Sequence, residues 1–163
     1  MAVDGSFAIL QTYVEDALHG DWMRMFRIYY ENLSSMLCKD RPQIIGHFDL
    51  VRKQPQLAGF FTSPAYRRIA LNALERSRAC GGVLEINTGG MVKGKMSDPH
   101  PSGELMGAWL EMGGAVTVTS DCHDAAFLNF GLDRLLVTLK RIGYRSVQRL
   151  GAGDALWETI ELP

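Results

Sequence analysis

Two short stretches place ionisable side chains at the spacing that chemistry uses. "GHFD" sets His47 and Asp49 two residues apart, and "SDCHD" does the same for Asp121 and His123. In extended backbone, residues two apart point to the same side, so each pair could face one pocket. Imidazole nitrogen together with carboxylate oxygen suits zinc, manganese or iron better than the all-oxygen cages of calcium. Two such pairs at the ends of separate strands could converge on metal. A plainer reading stands beside each: Asp121 as a turn cap, His123 as a surface histidine, His47 as a hydrogen-bonded loop residue after Gly46. Of the other histidines, His19 lies near a helix end, where a cation suits the dipole. His100 is flanked by prolines in "DPHPS" and lines a rigid loop in this reading.

Cationic residues come in two further places. Arg52 and Lys53 come directly after "GHFDLV", and Lys93 and Lys95 lie in "NTGGMVKGK". They could hold an anionic group such as phosphate, or simply be solvated. "SGE" and "TSD" lack the glycine elbow of a serine hydrolase, and the glycines follow neither a Walker A nor a GxGxxG order.

The elements that must carry these residues are legible from periodicity and caps. Phe7, Leu10, Val14, Ala17 and Leu18 follow helical spacing until Gly20. Asp21 then caps a stronger helix with Trp22, Met25, Phe26, Tyr29, Leu33, Met36 and Leu37 on one stripe, read as core. "QIIGHFDL" predicts a buried strand entering a loop. Ser63 and Pro64 open a helix that Gly81 and Gly82 close. "VLEINTGG" and "AVTVTS" predict two further strands, separated by a short helix capped by Ser102 with Leu105, Met106, Trp109 and Met112 inward. A helix is expected from about Asp124, with Leu128, Leu132, Leu135, Leu136 and Leu139 on one face and Gly143 as its stop; "WETIEL" predicts a last strand. Alternating strands and helices imply parallel strands and an α/β class, in which ligands gather at the carboxyl ends of the strands. "GHFD", "INTGG" and "SDCHD" all fall on that rim.

Composition sets the bounds. The 163 residues suffice for one domain, read as 1–163, with leading helices over 1–40 and alternating strands and helices over 41–163. Apolar residues make up 47% and charged residues 21%, with a formal net charge of −1, so no basic field recruits nucleic acid or an anionic membrane. No apolar run nears the roughly 20 residues of a membrane span. "MAVDGSFAIL" lacks the pattern of a signal peptide. Cys38, Cys80 and Cys122 are odd in number and far apart, which argues against a disulfide framework or a structural zinc site. A reducing, cytoplasmic setting is the expectation.

In order, "YYENLSSML", "QIIGHFDLVRK", "VLEINTGGMVKG", "DPHPSGELMGAWLEMGG", "AVTVTSDCHD" and "GYRSVQRL" through "WETIEL" resemble the PHP-domain histidinol-phosphatase family along nearly the whole chain. "GHFD" and "SDCH" separated by "EIN" are the most specific parts. The resemblance implies a distorted (β/α)7 barrel of the TIM-barrel-like kind, with divalent metals (manganese, zinc or iron) at the strand ends. It implies hydrolysis of L-histidinol phosphate to L-histidinol and phosphate in histidine biosynthesis. His47, Asp121 and His123 match metal ligands, and Asp121 also matches the position that could pass a proton to the leaving alkoxide. Arg52, Lys93 and Lys95 are candidates for phosphate contact that no motif fixes.

The family's opening HxH strand has no counterpart in this chain. A complete barrel takes about 250 residues, against at most four strands expected here. The expectation is therefore a partial, incomplete barrel with an incomplete metal cluster. Its open edges need a homo-oligomer, or a complementary chain that supplies the missing half. The substrate would be a small phosphorylated molecule, with no nucleic acid and no membrane as partner. The alternatives are a catalytically inactive PHP-like binding or assembly subunit, or another PHP phosphoesterase such as a nuclease.

Overall fold

Capping decides where the two longest helices begin. In the computed structural model, which describes Val3, residues 5–92 and residues 96–163, α1 spans Phe7–Leu18 and α2 spans Trp22–Asp40. The Asp21 carboxylate accepts from the Arg24 amide at 2.8 Å, satisfying one of the open donors of the first turn of α2. After β1 (Ile44–Ile45) the chain passes through 3-10 turns over Leu50–Lys53 and Pro55–Leu57 into a short α3 (Ala58–Phe61). Ser63 then caps α4 (Pro64–Ala79), its hydroxyl accepting from the Tyr66 amide at 3.2 Å. Next come β2 (Val83–Asn87), the single turn α5 (Gly89–Val92), α6 (Gly103–Glu111) and β3 (Val116–Thr119). A 3-10 turn (Ala125–Phe127), α7 (Leu132–Ile142), β4 (Ser146–Leu150) and β5 (Trp157–Glu161) complete the order.

β1, β2 and β3 form a parallel sheet in that order, with Ile45 opposite Leu84 and Leu84 opposite Val116. β2 is central, and four of its five residues are buried, as a strand covered on both faces requires. α2, α4 and α6 flank it, and one apolar cluster joins Met25, Phe26, Tyr30, Leu74, Ile86 and Trp109. The aromatic stripe of α2 is therefore core, as expected, although Met36 is exposed and Tyr30 and Ser34 occupy the buried face instead.

Three expectations need correction. The last strand does not extend the parallel sheet: β5 pairs antiparallel with β4, a strand the pattern reading missed, and the described strands form an open sheet and a separate hairpin that close no barrel. The helix expected from Asp124 begins at Leu132, because Gly131 sits at φ 75° and breaks the run; Leu128 is exposed. Cys38 and Cys80 are not left unpaired. Packing of α2 on α4 brings their Cα atoms to 4.9 Å and a disulfide joins them, leaving Cys122 free. Among the described residues no helix is long and apolar enough to cross a membrane.

Burial also sets an alkaline limit. Desolvation pushes the hydroxyls of Tyr29, Tyr30, Tyr66 and Tyr144 well above their ordinary value of 10.0, while the unfolded chain ionises them there. Above that pH the unfolded state binds fewer protons than the folded one, so stability present below it is lost as pH rises. Urea midpoints measured between about pH 8 and about pH 11 should hold level at first and then fall beyond about pH 10. A midpoint that stays flat to the alkaline end would show that these hydroxyls ionise without unfolding the chain.

Candidate functional site

The three parallel strands run in one direction, so their carboxyl ends meet at one rim. The chain leaves β1 into Gly46–His47, β2 into Thr88 and β3 into Ser120–Asp121. A cavity of about 500 Å³ opens there, lined among others by His47, Asn87, His100, Asp121, His123 and Phe127.

His47 and Asp121 meet across it from loops 74 residues apart, with His47 Nε2 at 3.1 Å from Asp121 Oδ2. Both residues adopt left-handed backbone, φ 50° for His47 and 45° for Asp121. His19 and Arg41 do so too, but as helix C-caps, where that conformation is ordinary. At the ends of strands it is a local strain of the kind that gathers at functional sites. Glu85 fixes His47 from below: Oε2 accepts from the His47 amide at 3.1 Å and lies 3.4 Å from ring Nδ1, while Oε1 accepts from the Thr119 hydroxyl at 2.8 Å. The other ring nitrogen is thereby aimed at the cavity, in the manner of a carboxylate that orients a functional imidazole. Tyr29 of α2 donates to the Phe48 carbonyl at 3.1 Å and holds the same loop.

Gly89 belongs to the architecture of the rim. A β-carbon there would lie 3.0 Å from both Asn87 Oδ1 and the Ser120 carbonyl and 3.1 Å from the Asp121 Cβ. Thr88 anchors the loop after β3 by donating its hydroxyl to the Phe130 carbonyl at 2.7 Å.

Each residue singled out by sequence has a definite place. His47, Asp121 and His123 line the same cavity; His123 is exposed and its Nδ1 lies 2.9 Å from the Asp121 carbonyl. Asp49 does not share that face. β1 stops at Ile45, the chain then turns, and the two-residue rule for extended backbone no longer applies at "GHFD". Asp49 is fully buried and accepts from His100 Nδ1 at 2.6 Å, the Ser102 amide at 2.8 Å and Arg52 Nη1 at 3.1 Å. Arg52 is turned to Asp49 and to the Pro99 carbonyl (3.3 Å), and lines a smaller cleft of about 170 Å³ with Tyr66 and Glu104. Lys93 and Lys95 lie outside the described residues. Lys53 lines the main cavity.

The sequence reading gave no role to Glu85, Asn87 or the buried side of His100. "EIN" lies on β2 proper, so Glu85 and Asn87 share a face, and Asn87 Nδ2 reaches His47 Nε2 at 3.4 Å. An ionisable residue inside an otherwise apolar central strand was the available signal.

The donor set does not make up a metal shell by itself. His47 faces Glu85 with one ring nitrogen and Asp121 with the other, and His123 turns one nitrogen to the chain. Among the described residues no group of three or more His, Cys, Asp or Glu side chains is gathered to hold a metal ion.

Fold and rim together define an α/β chain with an open parallel sheet and a polar cavity at its carboxyl edge. No protein-family model matches the chain. Over 103 residues it is 26% identical to a Schizosaccharomyces pombe protein named "Probable histidinol-phosphatase", a stretch that covers 61% of this chain and 33% of that protein. The chain thus spans about a third of the length of that curated relative.

Proposed function

We propose that this chain is a phosphomonoesterase of the histidinol-phosphatase kind, acting on L-histidinol phosphate to release L-histidinol and phosphate, and incomplete when isolated. The observation that carries the reading is the convergence of His47, Asp121 and His123 on one cavity at the strand ends. The named relative agrees with it.

In this reading Asp121 Oδ2, within hydrogen-bond reach of His47, passes a proton to the leaving alkoxide. Lys93 and Lys95, the remaining cationic candidates, would supply positive charge for the phosphoryl group; Arg52 is engaged by Asp49 in the neighbouring cleft. A divalent ion, manganese, zinc or iron, belongs to the proposal as a requirement. It would lower the pKa of a bound water and polarise the phosphoryl oxygens. The donors beyond His47, Asp121 and His123 would come from a second copy or a complementary chain.

The test is phosphate release from L-histidinol phosphate by the 163-residue chain, with and without added manganese. With the missing donors supplied by a second copy of the chain, metal-dependent release, lowered about 100-fold or more in His123→Ala, is the expected result. Release that ignores both the ion and the substitution would remove the metal from the reading. No release above buffer would favour a second reading, an inactive binding or assembly subunit. The exposed apolar side chains Phe127, Leu128 and Phe130 beside the cavity speak for that alternative.

A further inference from the structure

His100 and Asp49 form a dyad that the proposed chemistry leaves unused. Asp49 is 0% exposed and His100 3%, and the Asp49 carboxylate, an acceptor only, lies 2.6 Å from His100 Nδ1. That contact places the ring proton on Nδ1, because the tautomer is set by the partner of the other nitrogen. Nε2 is then a bare acceptor, and among the described residues no hydrogen bond reaches it. The ring lines the same cavity as His47, Asp121 and His123. The backbone of His100 is itself fixed, paired both ways with Asn87 at 2.7 and 2.9 Å.

We propose that His100 is a general base of this cavity, its Nε2 taking the proton from the water that attacks a bound phosphate monoester. The inference rests on the phosphomonoesterase reading and adds a residue to it. A water O–H bond breaks, its proton moves to Nε2, and the water oxygen bonds to phosphorus. The ester P–O bond breaks with its electron pair on the leaving oxygen, which takes a proton. His100 returns its own proton to solvent, so one water is consumed per ester. Asp49 stabilises the imidazolium formed in passing, as the carboxylate of a catalytic triad does for its histidine. Arg52 and the Ser102 amide hold that carboxylate in place from its other oxygen.

Nitrogen-15 NMR of the wild-type chain tests the geometry without any turnover. The His100 ring should show a protonated Nδ1 and a bare Nε2; a ring protonated at Nε2 overturns the proposal. The kinetic test uses His100→Asn, which can keep an amide N–H where Nδ1 donates to Asp49 while removing Nε2. With L-histidinol phosphate and with p-nitrophenyl phosphate, the variant should lose about 10²–10⁴-fold in kcat, with KM little changed. A loss confined to L-histidinol phosphate overturns the base role, because nitrophenolate leaves without a proton and only a leaving-group acid would be spared by it. A loss carried by KM alone overturns it in favour of positioning. Release unchanged in His100→Asn overturns this inference alone, whereas no release by wild type from either ester overturns it together with the reading it rests on.

Discussion

Asp49→Ala should destabilise the chain by about 3–5 kcal/mol, the cost of breaking a buried ion pair from one side. The carboxylate is fully buried and serves three donors at once: Arg52 from the 3-10 turn after β1, His100 from the loop before α6, and the Ser102 amide at the start of α6. Ser102 makes no side-chain cap, so Asp49 supplies the acceptor that the first turn of α6 lacks, and its charge suits that end of the helix dipole. Removing it leaves a largely buried guanidinium without its carboxylate, holding the Pro99 carbonyl at 3.3 Å, and two further donors unpaired, each worth roughly 1–3 kcal/mol. Asp49→Asn keeps one oxygen and should lose less. Urea unfolding of both variants checks the ranking. A loss below about 1 kcal/mol in the alanine variant would mean that water replaces the carboxylate, and that Asp49 does not tie the three segments together.

This residue also shows where the sequence was readable and where it was not. α2 and α4 were legible because their caps are local: Asp21 and Ser63 accept from amides three residues on. β2 and β3 were legible because each is a short apolar run directly after a pair of glycines, which leaves few alternatives. β4 was hidden, since "SVQRL" buries only Val147 and reads as polar loop. Its antiparallel partner β5 was seen but placed in the wrong sheet, because alternation of elements carries no information about a hairpin at the chain's end. At the site, His47, Asp121 and His123 were legible by type and by their place at strand ends. The Asp49–His100 contact was not, because it joins residues 51 apart through a turn whose direction is set by packing. The rule of two failed at "GHFD", where the strand had already ended, and held at "EIN", where it had not.

The largest effect on chemistry is expected from Asp121→Gly: phosphate release, as proposed above, should fall about 10²–10⁴-fold, while stability changes by no more than about 1 kcal/mol. Asp121 sits at φ 45°, where a β-carbon costs roughly 1–2 kcal/mol that glycine does not. Against that relief stand the added freedom of glycine in the unfolded chain, roughly 0.5–1 kcal/mol, and the loss of the pair with His47. That pair is 39% and 41% exposed, so solvent screens it to roughly 0–1 kcal/mol. Asp121→Ala removes the same carboxylate but keeps the strained β-carbon, and should be the less stable of the two variants by about 1 kcal/mol. The pair of substitutions therefore separates two reasons for an aspartate here. Equal stability of the glycine and alanine variants would mean that the backbone stores no strain at this rim. Release retained by both would mean that the carboxylate takes no part in the reaction. A chain that tolerates glycine well and yet carries aspartate at this conformation holds the residue for what its oxygen atoms reach, which is His47 and the cavity between them.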